Sequence, residues 1–312
     1  MRKDFCVIDG KIATAADRQH SQVILFVQPD EHEKKFLIEE NGIDEHTLNS
    51  ALDPDELSRL EIEPDHVAMI YKRPKNYSAK DKLMFKVAST GLFMFKNRII
   101  IVMDEEIPLF NIKQFQKVQS INDLMLKLVY GSIYHFLEHL KIINFISDEL
   151  EQKINLSFEN KYLINLFAIE KSLVYYLNSI NSNKALIDKL KLSAGKIGLN
   201  QDETEFLDDI FIENDQCYKQ AEIYSNILAG MSDARASIVS NNLNILMKRL
   251  TVITIVFMPL NVLSGIGGMS EFSMMTQGIP WPLSYSIFLV ALILIAYVTY
   301  LIVQRIEITE QK

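Results

Sequence analysis

Two patterns of hydrophobic spacing divide the chain. Up to about residue 110, apolar positions come in short β-branched and aromatic runs: Val23–Val27, His66–Lys72, Met84–Ala88, Gly91–Phe95 and Arg98–Met103. Bounded by turn formers such as Lys96-Asn97, these predict strands, and the stretches Glu31–Glu40 and His46–Leu60 between them predict short helices. Beyond residue 110 apolar residues recur every three or four positions, which predicts a helical hairpin turning near Asn155–Asn160. After a break at Ser193-Ala194-Gly195, only Gly230 and Pro259 interrupt a helical pattern from about Asp202 to Gly268. A continuous helix of that length would measure on the order of 100 Å at ~1.5 Å per residue, about three times a bilayer core.

Residues 250–268 and 283–303 carry no charge, and each run is long enough to cross a hydrocarbon core. Buried helices of soluble proteins seldom stay uncharged for so long. Lys248 and Arg249 precede the first run, Arg305 follows the second, and residues 269–282 between them contain neither Lys nor Arg. Positive charge collects on the cytoplasmic side, so both termini are expected there. The first twenty residues lack an apolar stretch of signal-peptide length, which is consistent with a cytoplasmic N-terminal domain on a multi-pass protein of the cell (inner) membrane. Cys6 and Cys217, far apart, suit a reducing compartment and give no zinc-site spacing.

The expected organisation is therefore an α/β domain over 1–110, a helical hairpin over 111–200, a stalk helix over 201–249, spans at 250–268 and 283–303 around a loop at 269–282, and a tail at 304–312. The class is α+β followed by long helices. A net charge of −8 argues against nucleic acid as a partner, which would call for a basic face. The sequence has no nucleophile–base constellation, phosphate loop or redox motif, so neither an enzyme nor a bound organic cofactor is expected.

The last long helix carries a polar stripe. In steps of three and four it reads Asp233, Ser237, Ser240, Asn244, Met247, Thr251, Thr254, Met258, Asn261, Gly265 and Gly268, while Val252, Ile253, Ile255, Val256, Phe257, Leu260, Val262 and Leu263 lie off it. Polar side chains at membrane depth call for protein or water. A spacing of about 3.5 residues keeps such a stripe on a common axis among supercoiled copies. One two-span subunit cannot enclose a channel, but several can, giving rings of Asn and Thr oxygens that suit hard, hydrated cations. The same stripe also fits a plain helix-packing face, in which case the protein is a membrane-anchored sensor or regulator without transport.

Two further clusters hold candidate ligands. The segment between Lys196 and Lys219 has no basic residue but carries Asp202, Glu203, Glu205, Asp208, Asp209, Glu213 and Asp215, which fits either a divalent-ion site or a solvated acidic face. His135 and His139 stand four apart on a predicted helix, within reach of one ion, with no third ligand in the pattern.

The stretch Ser240 to Phe272, with Asn-x-x-Met-Lys-x-Leu-Thr before the first span and Phe-Met-Pro-Leu within it, resembles the first transmembrane helix of the CorA superfamily of metal ion transporters, including its ZntB and CmaX-like branches. The resemblance implies a pentameric funnel, a homo-oligomer in membrane lipid that carries divalent cations such as Mg²⁺, Co²⁺ or Zn²⁺ and is regulated by them. It also implies pore positions at Asn244, Met247, Leu250, Met258 and Asn261, an acidic constriction at Asp233 and a regulatory metal contact near Asp209. The family's Gly-Met-Asn signature falls on Gly268, Met269 and Ser270, with Ser in the third place, and Glu271 adds a carboxylate at the entrance. Asn261 replaces the more usual Thr, and the loop lacks the Met-Pro-Glu-Leu sequence of the magnesium branch.

Overall fold

A computed structural model describes residues 1–15, 21–77, 83–110, 115, 117–156 and 160–310. They fall into two compact units, Met1–Ser232 and Asp233–Lys312.

The first unit is built on one seven-stranded sheet. Its strands are β1 (Arg2–Ile8), β2 (Lys11–Thr14), β3 (Val23–Val27), β4 (Arg59–Ile62), β5 (Val67–Pro74), β6 (Val87–Met94) and β7 (Ile99–Met103), in the order β2-β1-β3-β7-β6-β5-β4. Only β3 and β7 pair in parallel, and they are the continuous apolar runs VILFV and IIIVM, buried at every position. Such runs belong where both faces of a sheet are covered.

Alternation along these strands sorts the core into two layers. Ile24, Phe26, Ala68, Phe93, Ile100 and Val102 point to one side and meet Leu37 of α1 (Glu31–Glu39) and Leu48 of α2 (Glu45–Leu52). Val23, Leu25, Met69, Leu92, Ile99 and Ile101 point to the other and join the helical layer of α3 (Ile121–Leu156) and α4 (Asn160–Leu192). Asp30 starts α1 with a reciprocal capping box: its side chain accepts the Glu33 amide at 2.8 Å and its amide donates to Glu33 Oε2 at 3.2 Å.

A short turn of helix, α5 (Ala194–Ile197), ends at Gly198 with φ of 78° and leads into α6 (Gln201–Gly267), which passes Gly230 and Pro259 without interruption. Asn200 and Glu203 cap its start reciprocally, at 2.8 and 2.9 Å. Leu207, Ile210, Cys217, Ala221 and Leu228, at near-heptad spacing, bury this part of α6 in the same core as α3 and α4.

The structure departs from the sequence reading in three places. Met84–Ala88 and Gly91–Phe95 are not two strands, because β6 runs unbroken through Gly91, which faces Ile70 in the ladder. A Cβ at Gly91 would lie 2.5 Å from the Ala51 methyl, so glycine here admits the close approach of α2 and does not end the strand. The stretch His46–Leu60 is not one helix: α2 stops at Leu52, ahead of Asp53-Pro54, and Arg59–Ile62 turns into β4. β1 and β2, the outer pair at one end of the sheet, had no sequence signal, since their mixed polar residues are only half-buried. The expected hairpin turn near Asn155–Asn160 falls on residues 157–159, which lie outside the described residues, as do the last two positions of the tail.

The second unit holds the remainder of α6, then α7 (Ser270–Met275) and α8 (Trp281–Glu310). The fold is thus an α+β domain followed by a helical hairpin, one very long helix and a C-terminal apolar helix.

Candidate ion pathway

The C-terminal part of α6 and the Trp281–Val303 portion of α8 are long and apolar enough to cross a membrane, yet almost none of either is buried. Ile253, Phe257, Val262, Leu289, Val290 and Ile293 are all exposed. Apolar surface of this extent needs lipid or further protein around it. Trp281 and Tyr285 near one end of α8, with Tyr297 and Tyr300 near the other, fit the amphipathic belts of a membrane interface.

The two helices partly cover each other, and the cover is one-sided. On α6 the less exposed residues are Val252, Val256, Pro259, Leu260, Leu263 and Gly267; on α8 they are Ser284, Phe288, Leu292, Ile295, Ala296, Thr299 and Val303. Both sets follow three- and four-residue steps, as one face of a helix does. At about 100° per residue, Thr254 and Met258 lie roughly 160° either side of Val256, and Asn261 about 140° from it. The polar stripe therefore occupies the face of α6 that its own chain leaves bare.

Every residue expected on that stripe is exposed, as is Leu250, a pore position by resemblance: Asp233, Ser237, Ser240, Asn244, Met247, Thr251, Thr254, Met258, Asn261, Gly265 and Gly268. Three of the hydroxyls are satisfied locally. Ser237 donates to the Asp233 carbonyl at 3.1 Å, and Thr251 and Thr254 donate to the carbonyls of Met247 and Leu250 at 2.9 Å. Their oxygens keep lone pairs turned outward as acceptors. Asn261 has no such local solution, and among the described residues nothing engages its amide.

Between α6 and α7 the chain turns at Gly268 and Met269. The Gly268 amide donates to the Ser264 and Gly265 carbonyls at 3.1 and 3.2 Å, and Met269, at the N-cap of α7, donates to the Ile266 carbonyl at 3.1 Å. Ser270 donates to Glu271 Oε2 at 3.1 Å, and both side chains are exposed. The hydroxyl and carboxylate thus form one acceptor-rich group in the first turn of α7.

The acidic run of α6 divides into two kinds of residue. Glu203 is buried as a cap and accepts from Ser120 Oγ as well. Asp208 pairs with Lys191 at 2.7 Å, and Asp215 with Lys184 and Lys219 at 2.7 and 2.8 Å. Hydrogen bonds from these two lysines, Lys184 first, hold the Asp215 carboxyl down at about 2. Asp202, Glu205 and Asp209 are exposed. Among the described residues no three ligating side chains converge, so an ion at Asp209 would need donors from outside the chain. His135 and His139 do come together, with ring centroids 4.4 Å apart, but His139 is buried against Tyr176 and its Nδ1 lies 2.6 Å from the phenol oxygen. It is a core histidine.

Sequence reasoning missed the aromatic cluster behind the turn. Phe272 of α7 packs on Phe288 of α8 at 5.2 Å and on Tyr285 at 6.1 Å between centroids, and the Phe288 ring also covers Gly267. Within an apolar span a phenylalanine gives no signal of its own, and only the neighbouring glycine singles it out.

Comparison with known proteins agrees with this architecture. The family described as CorA-like Mg2+ transporter protein matches residues 22–305. The chain is 24% identical over 280 residues to the cobalt/magnesium transport protein CorA of Methanocaldococcus jannaschii, covering 86% of each. In structure it is similar to the complete CorA magnesium transporter of that organism, with a TM-score of 0.79 at 19% identity over 96% of both chains. It is also similar to the full-length CmaX protein, with a TM-score of 0.67 at 12% identity over 86% of both. At these identities the two solved structures speak for the fold alone. The match over residues 22–305 settles the family: this chain is a member of the CorA-like Mg2+ transporter proteins, membrane proteins that carry divalent metal cations and are not enzymes.

Proposed function

We propose that several copies of this chain, five by resemblance, surround an axial pathway lined by α6, through which divalent cations cross the membrane down their electrochemical gradient. One observation carries the reading: the polar stripe from Asp233 to Gly265 lies opposite the α8-covered face of α6 and is exposed along its whole length. At membrane depth an uncovered Asn261 is costly against lipid and is stabilised in a water-filled interior. Copies related by an axis turn these faces inward. They stack Asn244, Thr251, Thr254 and Asn261 as oxygen rings between constrictions at Met247, Leu250 and Met258.

Both termini are cytoplasmic on this reading, because the basic residues Lys248, Arg249 and Arg305 flank the spans on one side. Gly268, Met269, Ser270 and Glu271 then form the external mouth. Serine in place of the family's asparagine gives a smaller hydroxyl ring, so this mouth is a weaker match to a hydrated Mg²⁺ than an amide ring is. Exposed Asp209 is the residue of the acidic run offered to a regulatory ion shared with a neighbouring copy.

The test is cation influx into liposomes carrying the purified full chain, with Mg²⁺, Co²⁺ and Zn²⁺ in competition. Asn261→Leu should lower influx at least tenfold, and Met258→Asp should change both rate and selectivity. A membrane-anchored regulator gives no influx and is indifferent to both changes.

A further inference from the structure

The end of α6 reads Gly265-Ile-Gly-Gly, a sequence with unusual backbone freedom directly before the mouth. Positive φ does not explain these glycines, since among the described glycines only Gly10, Gly42 and Gly198 have it. Their surroundings differ instead. A Cβ at Gly265 would meet nothing within 4 Å, whereas one at Gly267 would lie 2.5, 2.7 and 3.2 Å from Cζ, Cε1 and Cε2 of Phe288. Gly267 is buried, while Gly265 and Gly268 are exposed. Glycine at 267 is thus required by a ring from the second span.

That ring cannot simply swing aside, because its other neighbour is Phe272, with centroids 5.2 Å apart and planes at 54°, and Tyr285 braces Phe272 edge-on at 71°. Phe288 therefore touches the chain on both sides of the segment Gly268–Glu271: Gly267 just before it and Phe272 just after it. Inside that segment only short backbone bonds and the Ser270–Glu271 contact give order.

We propose that Phe288 is a positioning residue for the mouth of the pathway. Its ring, clamped between Gly267 and Phe272, fixes where the Ser270 hydroxyl and the Glu271 carboxylate stand, and a displacement of α8 moves them. The inference rests on the reading of Gly268–Glu271 as the mouth.

The experiment measures the half-saturating cation concentration and the maximal rate separately, as Mg²⁺ or Co²⁺ influx into liposomes of the full chain. Gly267→Ala should push the ring against Phe272 and raise the half-saturating concentration at least threefold, with the maximal rate within about twofold. Phe288→Leu in the Gly267→Ala background makes room for the methyl and should restore at least half of the shift. Phe288→Tyr, which keeps the ring, should match wild type in the Gly267 background. An unchanged half-saturating concentration in Gly267→Ala overturns the proposal, and so does a loss of maximal rate or assembly alone that Phe288→Leu does not repair. Glu271→Gln serves as the reference. If it shifts half-saturation while Gly267→Ala does not, only the clamp is wrong; if neither shifts it, the mouth is misplaced and the clamp falls with it.

Discussion

Asn183 on α4 grips the backbone of Lys72 on β5 from both sides: its Nδ2 donates to the Lys72 carbonyl and its Oδ1 accepts the Lys72 amide, each at 2.8 Å. β4 pairs with β5 only from Val67 to Ile70, so beyond that point no strand among the described residues lies on the outer side of β5. A buried side chain supplies the missing rung. Ser58 Oγ also donates to Asn183 Oδ1 at 2.8 Å, and the Ser58 amide donates to Ser182 Oγ at 2.6 Å. The helical layer is thereby hydrogen-bonded to the sheet as well as packed on it. Asn183→Leu strands two buried backbone groups and should cost about 2–4 kcal/mol. Asn183→Asp keeps the acceptor but turns a charged, acceptor-only oxygen toward the Lys72 carbonyl at a buried site, and should cost at least as much at neutral pH. Thermal unfolding of the detergent-solubilised full chain reads both, and equal melting temperatures for wild type and Asn183→Leu would refute the assignment.

Acid should loosen the same domain through His139. Burial, followed by the neighbouring His135, pushes its imidazole down to about 4 from an ordinary 6.5. The unfolded chain therefore binds this proton more readily than the folded one between those values. The stability contributed is fully present above pH 6.5 and is lost as pH falls toward 4, by up to about 3 kcal/mol. Melting temperature should drop across that window, and His139→Gln should flatten the drop. The titrating groups facing it include His135 on its own helix and Tyr176 on α4. A wild-type curve that stays level from pH 7 to 4.5 would remove the argument.

Members of the acidic run on α6 should separate cleanly by role. Glu203→Ala removes a buried cap and should lower stability by about 1–2 kcal/mol without altering any response to metal. Asp209→Ala leaves the fold alone, because the side chain is exposed; on the proposed reading added Mg²⁺ should protect α6 of the wild type from protease, and Asp209→Ala should abolish that protection. Identical protection in wild type and Asp209→Ala would dismiss the regulatory site and leave a solvated acidic face.

How far the sequence could be read depended on how regular the physics was. β3 and β7 were legible because a strand covered on both faces is uniformly apolar, and the spans because a bilayer forbids charge. The start of α6 was legible within a residue or two, because the helical spacing resumes after the Ser193-Ala194-Gly195 break. β1 and β2 were not, since their residues are only half-buried and mix polar with apolar side chains. β4 hid inside a helical pattern that the Asp53-Pro54 turn cuts short. At the candidate site the stripe from Asp233 to Gly268 was visible as periodicity, because side-chain spacing alone defines it. The Phe288–Gly267 contact was not, because it depends on which face of α8 meets α6, and a helix that is apolar all round does not disclose its packing side.

The Ser270–Glu271 pair offers the sharpest test of ion choice. A hydroxyl is shorter than an amide and holds a hydrated ion less far from the backbone, so Ser270→Asn should enlarge the reach of the ring's oxygens toward a water-shelled Mg²⁺. Influx in mixtures should then shift toward Mg²⁺ over Co²⁺ and Zn²⁺, by a factor of about three or more. On the proposed reading Glu271 acts differently, since a carboxylate raises the local concentration of any cation and does not discriminate by shell. Glu271→Gln should raise the half-saturating concentration of all three ions alike, and the difference from wild type should shrink as ionic strength rises and screening shortens the reach of the charge. The two substitutions are thus expected to act on separate readouts, selectivity for the hydroxyl and apparent affinity for the carboxylate. If Ser270→Asn changes only apparent affinity, or if the effect of Glu271→Gln persists undiminished in high salt, the division of labour between them is wrong.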